Sequence, residues 1–260
     1  MNNLKNTIKE SFIWEEEFSI HAKDIDFNGK LKFYCICGYF FELAARHANH
    51  LHFGFKDLNQ ENVYWVLSRL HVKVLNYPGF DQKIKIQTWH KGVGRLFGLR
   101  DFRIMDKEGK EQVLAASAWL ILDKYTGRPV KPDRFSELQN SKMDYHAINE
   151  IPEKIEPIDE YQKVKFVEPG YTDLDINVHV NAGKYIAWIQ DLYPPDFYTR
   201  FRISEFQINY LNETRFGSRV QMLSYEESHG DYLFTNIEGR INGTENPAFR
   251  ARITWERTDK

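Results

Sequence analysis

Apolar residues recur at helical spacing in two places along the chain and in alternation through much of the rest. Between 31 and 51, Phe33, Cys37, Phe40, Phe41, Ala44, Ala48 and Leu51 fall on one stripe, with Gly54 just beyond, which predicts a first helix. Between 182 and 193, Tyr185, Trp188, Ile189, Leu192 and Tyr193 repeat the pattern. Asn181 is placed to cap this second helix and Pro194-Pro195 to stop it. Segments such as "VYWVLSRLHVKVL", "DQKIKIQTWHKG", "RLFGLRDFRIMD" and "EQVLAASAWLILD" follow the first helix. Their alternation, and the turn residues Asp106 to Gly109, predict an antiparallel meander. One long helix against one antiparallel sheet, twice over, is an α+β layer architecture.

The chain also repeats itself. Asp24-Ile-Asp-Phe-Asn28 matches Asp173-Leu-Asp-Ile-Asn177 at an offset of 149, and "LSRLHVKVLNYPGFDQKIKIQT" (67–88) lies over "ISEFQINYLNETRFGSRVQMLS" (203–224) at an offset of 136. The second offset also pairs Trp119 with Trp255. The common order of these matches implies a duplicated domain. The expected division is a first repeat over 1–130, a polar, proline-bearing linker over 131–165 and a second repeat over 166–260.

Composition fits this reading and narrows it. With 260 residues, 42% hydrophobic and 28% charged, the chain is long enough for two cores and is not disordered in composition. The overall charge of −2 does not point to nucleic acid, yet the first 130 residues hold 19 Lys+Arg against 15 Asp+Glu and the remainder 16 against 22. No apolar run suggests a signal or a membrane span, so a cytoplasmic location is expected. The two cysteines, Cys35 and Cys37, fall within the first predicted helix and form neither a disulfide framework nor a metal cage. No cofactor and no metal are expected.

Chemistry concentrates in "YTDLDINVHVNAGKYIAWIQDLYPP" (171–195), where Asp175, Asn177 and His179 stand at every second position ahead of the second helix. In an extended segment these three would face one cleft. The helix N-terminus beside them offers free N–H groups to a developing anion. An imidazole to move protons, a carboxylate and an amide together suit acyl transfer. The bland alternative is that Asp and Asn here serve only as turn formers and that the histidine is packed or merely exposed.

The block "DLDINVHVNAGKYIAWI" resembles the hallmark of the acyl-ACP thioesterases, in which D-x-N-x-H-V-N leads into a K-Y-x-x-W-I helix. The likeness continues through "EFQINYLNETRFGSRVQMLS", where Glu213 occupies the family's catalytic glutamate slot, and through "DKYTGRPVKP". It covers roughly residues 10–256. It implies a tandem hotdog fold, hydrolysis of fatty acyl-ACP, and acyl carrier protein as partner, with a homodimer as a further possibility. Asp175, Asn177, His179 and Glu213 would form the catalytic network: Glu213 with His179 activating water, Asp175 and Asn177 orienting. The first repeat would supply the acyl-chain pocket.

Two departures refine the expectation. Some relatives carry a cysteine after the glutamate; this chain has Thr214, so a thiol nucleophile is not required. In the first repeat Asp26 and Asn28 keep the pattern, but Lys30 replaces the imidazole and Tyr77 stands opposite Glu213, which leaves that copy chemically silent. The rival readings are a dehydratase or hydratase of the same fold and a non-catalytic acyl-thioester binder.

Overall fold

In the computed structural model, residues 12–132, 145–242, 244 and 246–258 are described. The chain forms two compact units: Met1–Lys32, Ile36–Ser68 and Val74–Pro152 make the first, and Phe33–Cys35, Arg69–Lys73 and Glu153–Lys260 the second. They part inside the stretch expected to be a linker. Of that stretch, 133–144 lie outside the described residues.

In the first unit, strand β1 (Trp14–Ser19) precedes helix α1 (Phe33–His50), whose first three residues belong to the second unit, and a short helix α2 (Phe55–Gln60). Strands β2 (Val63–Val74), β3 (Lys83–Val93), β4 (Gly98–Met105) and β5 (Glu111–Asp123) follow, with a two-residue β6 (Pro129–Val130). β3, β4 and β5 are the expected antiparallel meander, and Gly109 (φ 83°) turns β4 into β5. β2 departs from it: it lies beside β5, not β3, while β1 takes the free side of β3.

The buried stripe of α1 is rotated slightly from the expected one. Ile36 and Leu43 are fully buried with Cys37 and Phe40, whereas Phe41 is only half-buried. Phe40 stacks on Phe102 of β4 at 4.8 Å, which seats the helix on the sheet.

The second unit repeats the plan. It contains β7 (Lys163–Val167), α3 (Ala182–Gln190), β8 (Phe201–Tyr210), β9 (Val220–His229), β10 (Tyr232–Ile241) and β11 (Pro247–Arg257). β9, β10 and β11 form the meander; β8 lies beside β11 and β7 beside β9. Residues 69–73 of β2 belong to this unit and pair antiparallel with β8, Arg69 opposite Asn209 and Lys73 opposite Glu205.

α3 stops at Gln190, three residues short of the sequence expectation. The N–H groups of Leu192 and Tyr193 bond back only three residues, to Ile189 and Gln190, so the chain tightens ahead of Pro194. Tyr193 stays buried outside the helix, 4.8 Å from the Trp255 ring.

The chain from residue 145 onward is held closely. In the first unit, Lys91 Nζ donates to the Ile148 carbonyl (2.8 Å) and the Ala147 N–H to Asp101 (2.8 Å). Trp89 Nε1 donates to the Tyr145 carbonyl (2.9 Å). In the second, Asn209 accepts from the Ile155 N–H (2.7 Å) and donates to the Glu153 carbonyl (3.0 Å).

Candidate active site

The segment ahead of α3 is a tight turn, not the extended strand that alternation suggested. Leu174 and Val180 form an antiparallel bridge, and the Asp175 N–H bonds the His179 carbonyl (2.8 Å). Between them Val178 adopts φ 61°, a left-handed conformation that β-branched residues rarely take. The Asp175 carboxylate accounts for the shape: its Oδ1 accepts from the N–H of Asn177 (2.8 Å) and from that of His179 (3.1 Å).

The same turn stands in the first repeat. Asp26 Oδ1 accepts from the N–H groups of Asn28 and Lys30, both at 2.9 Å, and the left-handed corner is Gly29 at φ 69°. The aspartates and asparagines of the two copies therefore belong to a turn. What differs is the residue that the turn presents, Lys30 in one copy and His179 in the other.

His179 is presented to the loop after β8. It forms an isolated bridge with Arg215, and the Val180 N–H bonds the Thr214 carbonyl (2.8 Å). This pairing brings His179 Nε2 to 3.0 Å from Glu213 Oε2. The imidazole is mostly sheltered and the carboxylate more open, with side-chain exposures of 17% and 38%. Arg215 lies 3.7 Å from the same carboxylate oxygen.

Of the four residues singled out in the sequence, His179 and Glu213 meet. Asp175 is engaged with backbone, and Asn177 is exposed on the turn with its backbone N–H bound to Asp175. The α3 N-terminus is partly closed by its own cap, since Asn181 Oδ1 accepts from the Gly183 N–H (2.9 Å) and the Asn181 carbonyl from the Lys184 N–H (2.9 Å). Tyr210 donates to the Ala182 carbonyl (3.0 Å), and the Tyr185 ring packs at 5.7 Å from that of Tyr210 and 5.4 Å from that of Phe249. Burial pushes the Tyr185 phenol up to about 12, so it stays protonated and neutral beside the site. The cysteines lie on α1, Cys37 fully buried.

Sequence reasoning missed Arg215, whose side chain adjoins the carboxylate, and the strain at Val178. The alignment of Gly29 with Val178 held the signal for the second, because a glycine at the corner of one copy marks a left-handed position in both.

The acyl-ACP thioesterase N-terminal domain matches residues 11–135 and the acyl-ACP thioesterase C-terminal domain residues 155–257. The chain belongs to the acyl-ACP thioesterase family. A crystal structure of an acyl-ACP thioesterase from Bacteroides thetaiotaomicron superposes with a TM-score of 0.87 at 31% identity, over 95% of this chain and 99% of that one. The architecture is the family's double hotdog. The oleoyl-acyl carrier protein thioesterase 2 of Arabidopsis thaliana is 24% identical over 91% of this chain and 68% of its own length. The palmitoyl-acyl carrier protein thioesterase of the same plant is 26% identical over 84% of this chain. The match spans only 56% of that relative's length. Among the described residues no helix is long and apolar enough to cross a membrane.

Proposed function

We propose that this chain hydrolyses the thioester of a fatty acyl group on acyl carrier protein, with His179 and Glu213 as the groups that activate water. The observation that supports the assignment is the 3.0 Å contact between Nε2 and Oε2 at a partly open position. A coupled carboxylate and imidazole is a general acid–base pair, the function that thioester hydrolysis needs.

The step balances with no further reactant. Water oxygen bonds to the thioester carbonyl carbon as His179 and Glu213 accept its proton, and the carbonyl oxygen becomes an oxyanion. Collapse re-forms the carbonyl and breaks the carbon–sulfur bond, and the proton held by the pair goes to the departing thiolate. The products are a carboxylic acid and the thiol of the carrier. In this reading Asp175 is a positioning residue, fixing the His179 backbone, and the exposed Asn177 amide is available to the substrate.

The first repeat takes no part in the chemistry, since Lys30 and Tyr77 stand where the pair would be. Its role is to accommodate the acyl chain. Support comes from the apolar cluster of Phe53, Leu58, Val63 and Ile121, with Trp65 packed against it. Incubating the protein with acyl-ACPs of graded chain length and quantifying released fatty acid tests the activity. Release should depend on His179; absence of release from every acyl-ACP would remove the proposal.

A further inference from the structure

The first unit holds a buried charge that hydrolysis does not use. Four charged residues are buried among those described: Lys91, Arg100, Asp101 and Glu238. Three are matched by opposite charge: Lys91 lies 3.1 Å from Asp101, and Glu238 contacts Arg240 and Arg250, each at 2.6 Å. Arg100 is the exception.

Its Nη1 lies 3.0 Å from His47 Nδ1 and donates to Thr88 Oγ1 (3.1 Å), and no carboxylate among the described residues is paired with it. The neighbouring Asp101 carboxylate is already engaged by Lys91 and the Ala147 N–H. Nor do the histidines balance the charge. Burial, reinforced by Arg100, pulls both His47 and His90 down to about 3, so both are neutral at pH 7. Burial also lowers Arg100, but only to about 10, which leaves it a cation. Among the described residues, the interior here bears one positive charge that no carboxylate pairs.

An isolated buried ion is costly, and a guanidinium is matched in shape by a carboxylate, which can take two parallel N–H donors. The surroundings specify what such a carboxylate is attached to. The His90 ring lies 6.3 Å from that of Phe53 and the Phe53 ring 6.4 Å from that of Trp65, so apolar surface begins beside the cluster. Gly98 lets these groups close in, since a Cβ there would lie 3.0 Å from the Trp65 ring and 3.4 Å from His90 Nε2.

We propose that Arg100, with His47 and Thr88, is a binding site for the carboxylate of a hydrocarbon-chain acid, whose chain lies toward Phe53 and Trp65. A free fatty acid presents that chemistry. A His179→Ala variant separates binding at this site from hydrolysis.

The test measures the melting temperature with sodium octanoate, with 1-octanol and with sodium chloride at matched ionic strength. Octanoate should raise it by roughly a few degrees in the wild type and in His179→Ala, with octanol giving less. Arg100→Met, relieved of an unpaired charge, should melt no lower than wild type and lose the octanoate response. Equal effects of octanoate and octanol on the wild type would overturn the proposal even if the variant failed to fold, as would an undiminished response in a folded Arg100→Met.

Discussion

Val178 stands at the corner that Gly29 occupies in the other repeat, and both hold φ positive, at 61° and 69°. Glycine does this at no steric cost, while an L residue in the left-handed region costs roughly 1–2 kcal/mol. The repeat that presents His179 retains the strained residue. Val178→Gly should therefore stabilise the protein by about 0.5–1 kcal/mol, the relief being partly offset by the freer unfolded chain. Urea denaturation checks this, and a loss of stability would show that the turn does not store strain at Val178.

The matching aspartates separate structure from chemistry. Asp175→Ala and Asp26→Ala each remove one carboxylate oxygen that accepts two backbone N–H groups, and each should cost about 1 kcal/mol or somewhat more. Only Asp175→Ala should slow turnover, by at least about tenfold, because it loosens the backbone that positions His179. Stability and kcat measured on both variants give the comparison. Equal kcat losses would place chemistry in both repeats.

Acid sensitivity should have a contribution from Glu205. Its Oε1 lies 2.5 Å from His71 Nε2, and that hydrogen bond holds the carboxyl below its usual 4.5. A carboxylate depressed in the folded state stabilises above its unfolded pKa and loses that stabilisation as pH falls through the folded value. Glu205→Gln should accordingly show a shallower fall in stability below about pH 4.5 than the wild type, in denaturation curves taken between pH 3 and 6. Parallel curves for the two proteins would remove the linkage.

The buried pair of Lys91 and Asp101 makes a different demand. Lys91→Met leaves a fully buried carboxylate without its cation and should destabilise by about 3–5 kcal/mol. The segment that Asp101 and Lys91 tie down, Ala147 to Ile148, should become the first site cut by a protease. Wild-type stability in this variant would mean that the pair is dispensable.

How much the sequence revealed follows from the kind of information each feature needs. The duplication, both helices and the β3–β4–β5 meander are local or periodic, and self-similarity, helical spacing and alternation display them in turn. The placement of β2 beside β5, and of its residues 69–73 against β8, depends on distant pairing that period 2 cannot encode. His179 and Glu213 could be named because a family motif marks them, but their 3.0 Å contact arises from a bridge between segments 36 residues apart in the chain. Asp175 was misplaced in an extended strand because alternation says nothing of a side chain folding back onto its own backbone. Arg100 raised no signal, since a lone arginine in a strand looks the same whether or not a carboxylate meets it.

The central claim is that Glu213 and His179 together activate water. Single-turnover hydrolysis of acyl-ACP at saturating substrate tests it most directly, with Glu213→Gln keeping the shape of the side chain and removing its basicity. The predicted result is a fall of about 10²–10⁴-fold in the rate of the chemical step, with a modest change in KM and an equal fall for His179→Ala. A folded Glu213→Gln protein that hydrolyses at the wild-type rate would contradict it.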